Sequence, residues 1–290
     1  MSEVRCVLDA RANLAEGPVW DAERGLLWWV DIKVPMLHAF DPESGDDRIF
    51  PVPDVLGAAV PRASGGLVLA LRDGFYAYDP ETAEARVIAR PERDRPGNRF
   101  NDGKCDRRGR FWAGTMDDAE VEPRGDLYRL DPDGSTAHFP AGFVVTNGLG
   151  WSPDDRIMYF TDSVGQVIHA YDYDIETGNI DNRREFVRTD PDGGYPDGLA
   201  VDGEGFVWSA HWDGWRVTRY DPDGRVERVL DLPVPRVTSC AFGGADLSTL
   251  YITSARIGLD AAALERAPLS GGIFALQPGV SGLPERGYAG

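Results

Sequence analysis

Cysteine and histidine are scarce in this chain of 290 residues, which has three of the first and four of the second. Cys6, Cys105 and Cys240 form no CxxC pair, so neither a disulfide framework nor a thiolate zinc site is indicated, and all three read as small buried hydrophobes. Basic residues are also short: 30 Lys and Arg face 48 Asp and Glu, a formal charge of −18 that argues against nucleic acid or an anionic membrane surface as partner. No apolar run approaches the roughly 18 residues of a membrane span, and "MSEVRCVLDA" lacks the basic-then-apolar build of a leader. A cytoplasmic protein is the expectation. There is no GxSxG elbow and no HExxH, and the DxDG-like turns lack the distal Glu of a calcium loop. Helical periodicity is confined to "GLDAAALERA" (258–267), which disfavours a parallel α/β fold and leaves a β-sandwich as the lesser alternative.

What the chain has is repetition. The segments "EGPVWDAERGLLWWVD" (16–31), "LGAAVPRASGGLVLAL" (56–71), "DGKCDRRGRFWAGTM" (102–116), "NGLGWSPDDRIMYFTD" (147–162), "DGLAVDGEGFVWSAHW" (197–212) and "SCAFGGADLSTLYITSA" (239–255) share one rhythm. A small-residue strand is followed by a polar tight turn and then an aromatic or β-branched strand. Third runs such as "FYAYDPET", "LYRLDPDG" and "VTRYDPDG" follow, and short fourth runs such as "ARVIAR" complete the first five units. Four strands every 40 to 50 residues is the period of a propeller blade. The fold expected is therefore all-β, a six-bladed β-propeller of four-stranded antiparallel blades forming one domain over residues 1–290. The sixth unit lacks a fourth strand while "VRCVLD" (4–9) lacks a blade, so the N-terminal strand is expected to close the ring by pairing into the last blade.

Strand alternation sorts the acids by face. The DP turns, "DAERG", "SPDD" and "DGEG" fall at the bottom and read as turn chemistry. The residues opening the six inner strands, Glu16, Leu56, Asp102, Asn147, Asp197 and Ser239, converge at the top of the central channel. Three carboxylates and a carboxamide in one funnel repel one another or shift toward neutrality unless a cation sits among them; the alternative is that each is a separately hydrated turn residue. All the donors are oxygens, which favours Ca²⁺, Mn²⁺, Mg²⁺ or Fe²⁺, with Zn²⁺ also accommodated. The longest irregular stretches, 90–101, 117–126 and 256–272, belong to the same top face, where a binding site or lid is expected. Of the histidines, His38, His138 and His169 fall on third or fourth strands away from the axis, and His211 ends a second strand near the pocket.

Taken together, "EGPVWD", "RFNDGKCDRRGRFWAGTM", "TNGLGWSPD", "YPDGLAVD", "HWDGWRVTRYDPDG" and "LYITSAR" resemble the SMP-30/gluconolactonase/regucalcin-like family of propeller sugar lactonases, from about residue 14 to 276. The resemblance implies one divalent cation held by Glu16, Asn147 and Asp197. It also implies substrate contacts from Arg99 and Asn101 and from a Glu in the loop before "GDLYRL", either Glu120 or Glu122. Asp102 is then left beside the cation or on the pocket wall. The activity implied is hydrolysis of an aldonolactone such as gluconolactone, xylonolactone or arabinolactone to its aldonic acid, with Asp197 as general base. The rival readings are a propeller hydrolase of other lactones or esters, and a calcium-binding or interaction propeller without catalysis. No partner other than the small-molecule substrate is implied, and a closed ring is compatible with a monomer.

Overall fold

The computed structural model describes residues 3–290. Its strands form six four-stranded antiparallel sheets, a six-bladed β-propeller. The inner strands are Ala15–Asp21, Leu56–Pro61, Asn98–Cys105, Thr146–Trp151, Tyr195–Val201 and Val237–Gly243. Ring closure is as expected: Arg5–Leu8 pairs antiparallel with Ile273–Leu276, setting Arg5 opposite Ala275 and Cys6 opposite Phe274. A short helix, Ala261–Arg266, sits in the long sixth-blade loop, capped by Asp260, whose carboxylate accepts the Ala263 N–H at 2.7 Å. Among the described residues no helix is long and apolar enough to cross a membrane.

Position within the blade explains the sequence patterns. Second strands such as Leu26–Asp31 (LLWWVD) and Phe111–Asp117 (FWAGTMD) are buried almost throughout, because neighbouring blades cover both faces, and they read as continuous apolar runs. Outer strands such as Thr136–Phe143 alternate exposed and covered positions, because one face meets water.

The third inner strand starts earlier than the repeat suggests. Residues 98–101, expected in an irregular stretch, are already extended and pair with the second strand, Asn98 opposite Asp117. All six inner strands share a further feature that no spacing reveals: each has a register shift next to its opening residue, at Glu16/Val19, Leu56/Ala58, Phe100/Gly103, Asn147/Leu149, Pro196/Leu199 and Val237/Cys240. A bulge changes which face successive side chains occupy. In "RFNDGKC" it allows Arg99, Asn101, Asp102 and Lys104 to be kept from the apolar core while Phe100 and Cys105 pack into it.

The acids at the bottom serve two purposes. Those in the DP turns accept backbone N–H groups two residues on, as Asp41 does from Glu43 at 2.8 Å and Asp221 from Asp223 at 3.0 Å. Those ending inner strands are more than punctuation. Asp21, Asp106 and Asp202 each accept the indole N–H of a second-strand tryptophan, Trp28, Trp112 and Trp208, at 3.2, 2.9 and 2.9 Å, and each also binds an arginine. Beyond them the C-terminal segment crosses the bottom of the ring. Gly203 N–H donates to Ser281 O, Gly282 N–H to Leu247 O, Tyr288 N–H to Pro61 O and Ala289 N–H to Gly109 O, all at 2.8–2.9 Å.

Candidate active site

The top of the channel opens into a cavity of about 350 Å³ lined by Glu16, Arg99, Asn101, Glu120, Asn147 and Asp197 among others. The structure thus brings together side chains from blades 1, 3, 4 and 5, up to 181 residues apart in sequence. Glu120, and not Glu122, lies on the wall. The backbone at Glu120 adopts a left-handed φ of 58°, unfavourable for a residue with a Cβ, and the buried Asp117 carboxylate fixes it by accepting the N–H groups of Val121 and Glu122 at 3.0 and 2.9 Å. His211 does not line the cavity. Its neighbour Trp212 does, because successive residues of a strand point to opposite faces.

The inner strands approach one another too closely here for side chains on the glycines that follow Asn147 and Asp197. A Cβ on Gly148 would lie 2.4 Å from Leu199 N and 2.7 Å from Asp197 O, and one on Gly198 would lie 2.0 Å from Ser239 Oγ. The acid-glycine and amide-glycine pairs are therefore packing requirements: the first residue aims a polar group into the funnel and the second lets the next strand close in.

Glu16, Asn147 and Asp197 are each 5% exposed. The Asn147 amide is oriented by its Nδ2, which donates to Ser163 Oγ at 3.1 Å, while its Oδ1 is buried with no hydrogen-bond partner; Asp197 Oδ1 is buried and unpartnered in the same way. Glu16 Oε2 accepts the N–H of its own neighbour Gly17 at 2.8 Å, and the Glu16 carboxyl faces that of Asp197. Burial, reinforced by the Asp102 charge, pushes the Glu16 carboxyl up to about 8. Burial first, then the charges of Glu16 and Asp102, raises Asp197 well above the usual carboxylate range. Among the described residues no three His, Cys, Asp or Glu side chains form a metal cluster. The donor set is instead two carboxylates and a carboxamide, with orphaned oxygens that a hard divalent cation would satisfy.

Arg99 is held rigidly beside them, 2% exposed. Its Nε donates to Asp118 at 3.0 Å, and its Nη1 donates to Asn101 Oδ1 at 2.6 Å and to Phe100 O at 3.1 Å. Asn101 Nδ2 in turn donates to Thr146 O at 2.7 Å. Asp118 joins three blades, accepting also from Arg72 and Lys33, both at 3.1 Å. Burial alone would raise its carboxyl, but these cations outweigh that and hold it near 2. No motif or repeat position in the sequence points to Asp118, Arg72, Lys33 or Ser163. The only available signal for Asp118 was an acid in a long top-face loop. Asp102 is buried but does not line the cavity; its carboxylate accepts the N–H of Gly103 at 2.7 Å.

Fold and site together define a propeller whose channel mouth gathers buried oxygen donors next to an arginine and an asparagine fixed by hydrogen bonds. Residues 14–256 match the family model described as the SMP-30/Gluconolactonase/LRE-like region, and the chain belongs to that family. It is 38% identical to regucalcin of Xenopus laevis over 99% of both chains, and 37% identical over 97% of both to Bacillus subtilis YvrE, provisionally named a sugar lactone lactonase. Among solved structures, it is similar to a calcium-binding protein, regucalcin, from Agrobacterium tumefaciens, with TM-score 0.94, 31% identity and coverage of 98% and 96%. A luciferin-regenerating enzyme aligns with TM-score 0.91 and 30% identity over 99% of both chains.

Proposed function

We propose that the protein is a divalent-cation-dependent lactonase that hydrolyses a sugar aldonolactone, such as gluconolactone, xylonolactone or arabinolactone, to the aldonic acid. The observation that carries this reading is the convergence of Glu16, Asn147 and Asp197, with unpartnered buried oxygens on the last two, in one cavity with Arg99 and Asn101. Glu16, Asn147 and Asp197 would hold the cation, and the oxygen-only set suits Ca²⁺, Mn²⁺, Mg²⁺ or Fe²⁺, while Zn²⁺ also accepts carboxylate oxygens. When bound, such an ion supplies Lewis-acid stabilisation for negative charge developing on the lactone carbonyl oxygen.

The chain's own groups do the rest. Asp197 accepts a proton from the water that attacks the carbonyl carbon, and returns it to the ring oxygen as the C–O bond breaks, which balances the reaction. Arg99, with Nε and Nη1 already committed within the protein, offers Nη2 to a substrate hydroxyl. Asn101 and Glu120 supply further polar contacts, and the fixed network around Asp118 keeps these groups in place before substrate arrives. The three cysteines are unpaired thiols, which fits the reducing cytoplasm, and the closed ring supports action as a monomer.

The test is acid release from several aldonolactones by chelator-stripped protein, with and without each divalent ion. A rate above spontaneous hydrolysis that returns with added ion is expected. Tight cation binding with no turnover on any lactone would favour the calcium-binding reading instead, which the Agrobacterium relative's description makes the second choice.

A further inference from the structure

Below the cavity the channel holds a pair of charges that the reaction above does not use. Lys104 follows Asp102 by two residues on the same inner strand, and its side chain is only 14% exposed. Its Nζ lies 3.0 Å from Glu285 Oε1 and donates to Leu199 O at 3.3 Å. Glu285 belongs to the C-terminal segment, held at the bottom of the ring by the backbone bonds at Ser281, Gly282, Tyr288 and Ala289. Its second oxygen, Oε2, is buried and has no hydrogen-bond partner. The channel therefore carries Glu16, Asp197, Asp102 and Glu285 against one enclosed ammonium, beside Arg99, whose charge is already shared with Asp118.

We propose that Lys104 is a positioning residue for the cation site: its ammonium, fixed by Glu285 of the C-terminal segment, offsets part of the channel's negative charge and so sets how tightly a divalent ion is held above it. The inference rests on the metal-dependent reading of the site. Its physical basis is that a unit charge enclosed in protein acts on a divalent ion over roughly 10 Å with little screening. Too much negative charge below the site would bind the ion firmly and leave it less able to polarise a carbonyl. The C-terminal segment is what keeps the counter-charge in place, so a stretch of chain far from the cavity helps to tune it.

The experiment is calorimetric titration of chelator-stripped protein with Mn²⁺ and Ca²⁺, with circular dichroism to verify folding. Lys104→Met, which removes the cation, is expected to tighten binding roughly tenfold, and Glu285→Gln, which removes an anion at nearly constant shape, to weaken it several-fold. The double variant loses one charge of each sign and is expected to return to within about threefold of the parent, and Lys104→Arg to do the same. A merely structural role for the pair would weaken binding in both single variants. That outcome, or two unchanged affinities, overturns the proposal, and Lys104→Gln, which also removes the cation and carries the same expected tightening, stands in for Lys104→Met if that variant does not fold. A parent protein that binds neither ion overturns the metal-dependent reading itself, which separates the two failures.

Discussion

At the scale of single residues, two aspartates five positions apart show how context divides one side chain into two roles. Asp197 and Asp202 both precede glycine and both are buried, yet Asp197 Oδ1 has no partner, whereas Asp202 is saturated. Asp202 accepts from Glu204 N and Phe206 N at 3.0 Å, from Trp208 Nε1 at 2.9 Å and from Arg219 Nη2 at 2.7 Å. Asp197→Asn is expected to lower kcat on the preferred lactone by about 10²- to 10⁴-fold while the fold, read by circular dichroism, is retained and cation-free protein is no less stable. Asp202→Asn leaves Arg219 without its most buried counter-charge and is expected to cost about 3 kcal/mol in urea unfolding, with kcat unchanged where the protein remains folded. If the two variants lost activity and stability in parallel, the division would fail. An unsatisfied carboxylate oxygen in a funnel is a site; a saturated one in a turn is a rivet.

At the scale of elements, the bulged inner strand with its glycine is the unit that builds the site. Gly148→Ala forces a methyl group against the backbone of Asp197 and Leu199 in the next blade, where no side chain can move aside. We expect it to destabilise the fold by about 1–3 kcal/mol and to weaken divalent-ion binding, read from urea unfolding and calorimetry on the same preparation. Alanine at Gly25, which has nothing within 4 Å, would probe only the cost of its φ of 68°. The blades and their strand count were legible in the sequence because they follow from a repeated local pattern, and the closure by Arg5–Leu8 because the sixth repeat lacks the fourth strand that the N-terminal run supplies. The bulges were not, since a register shift is a property of two paired strands. For the same reason the parity of Arg99, Asn101, Asp102 and Lys104, the choice of Glu120 over Glu122, and the exclusion of His211 from the cavity required coordinates. The C-terminal segment carries no strand pattern at all. Its backbone hydrogen bonds leave no trace in residue type, and the side chains that add to them, Glu285 on Lys104 and the buried Tyr288, follow no periodic pattern.

At the scale of the whole molecule, the buried acids tie stability to pH and to cations. Glu16 rises from an ordinary 4.5 to about 8 on folding, so the folded chain holds that proton more firmly than the unfolded one. Protons then favour the native state between those values: stability of cation-free protein is expected to fall as pH rises from 4.5 to 8, opposite to a carboxylate paired with a base. Excess divalent ion binds the deprotonated site and is expected to raise Tm most at pH 8 and above, with the increment shrinking as the pH falls, in calorimetric scans with and without chelator. A Tm increment independent of pH would contradict the assignment of these acids to the cation.

The ring closure by Arg5–Leu8 also bears on how the molecule is made. Arg5–Leu8 is synthesised before every blade and must wait for Ile273–Leu276, the last strand of the ring, before it has any partner. The five earlier blades can each pair within themselves as they emerge, but the sixth is sealed only by the first strand of the ring meeting its last, a strand pairing of the greatest sequence separation and so entropically the slowest to form. Until then the nascent ring carries an open seam with a naked strand on one lip. Crowded synthesis would expose that seam to neighbouring chains, and exchange of the first strand between two of them is the misassembly this architecture invites.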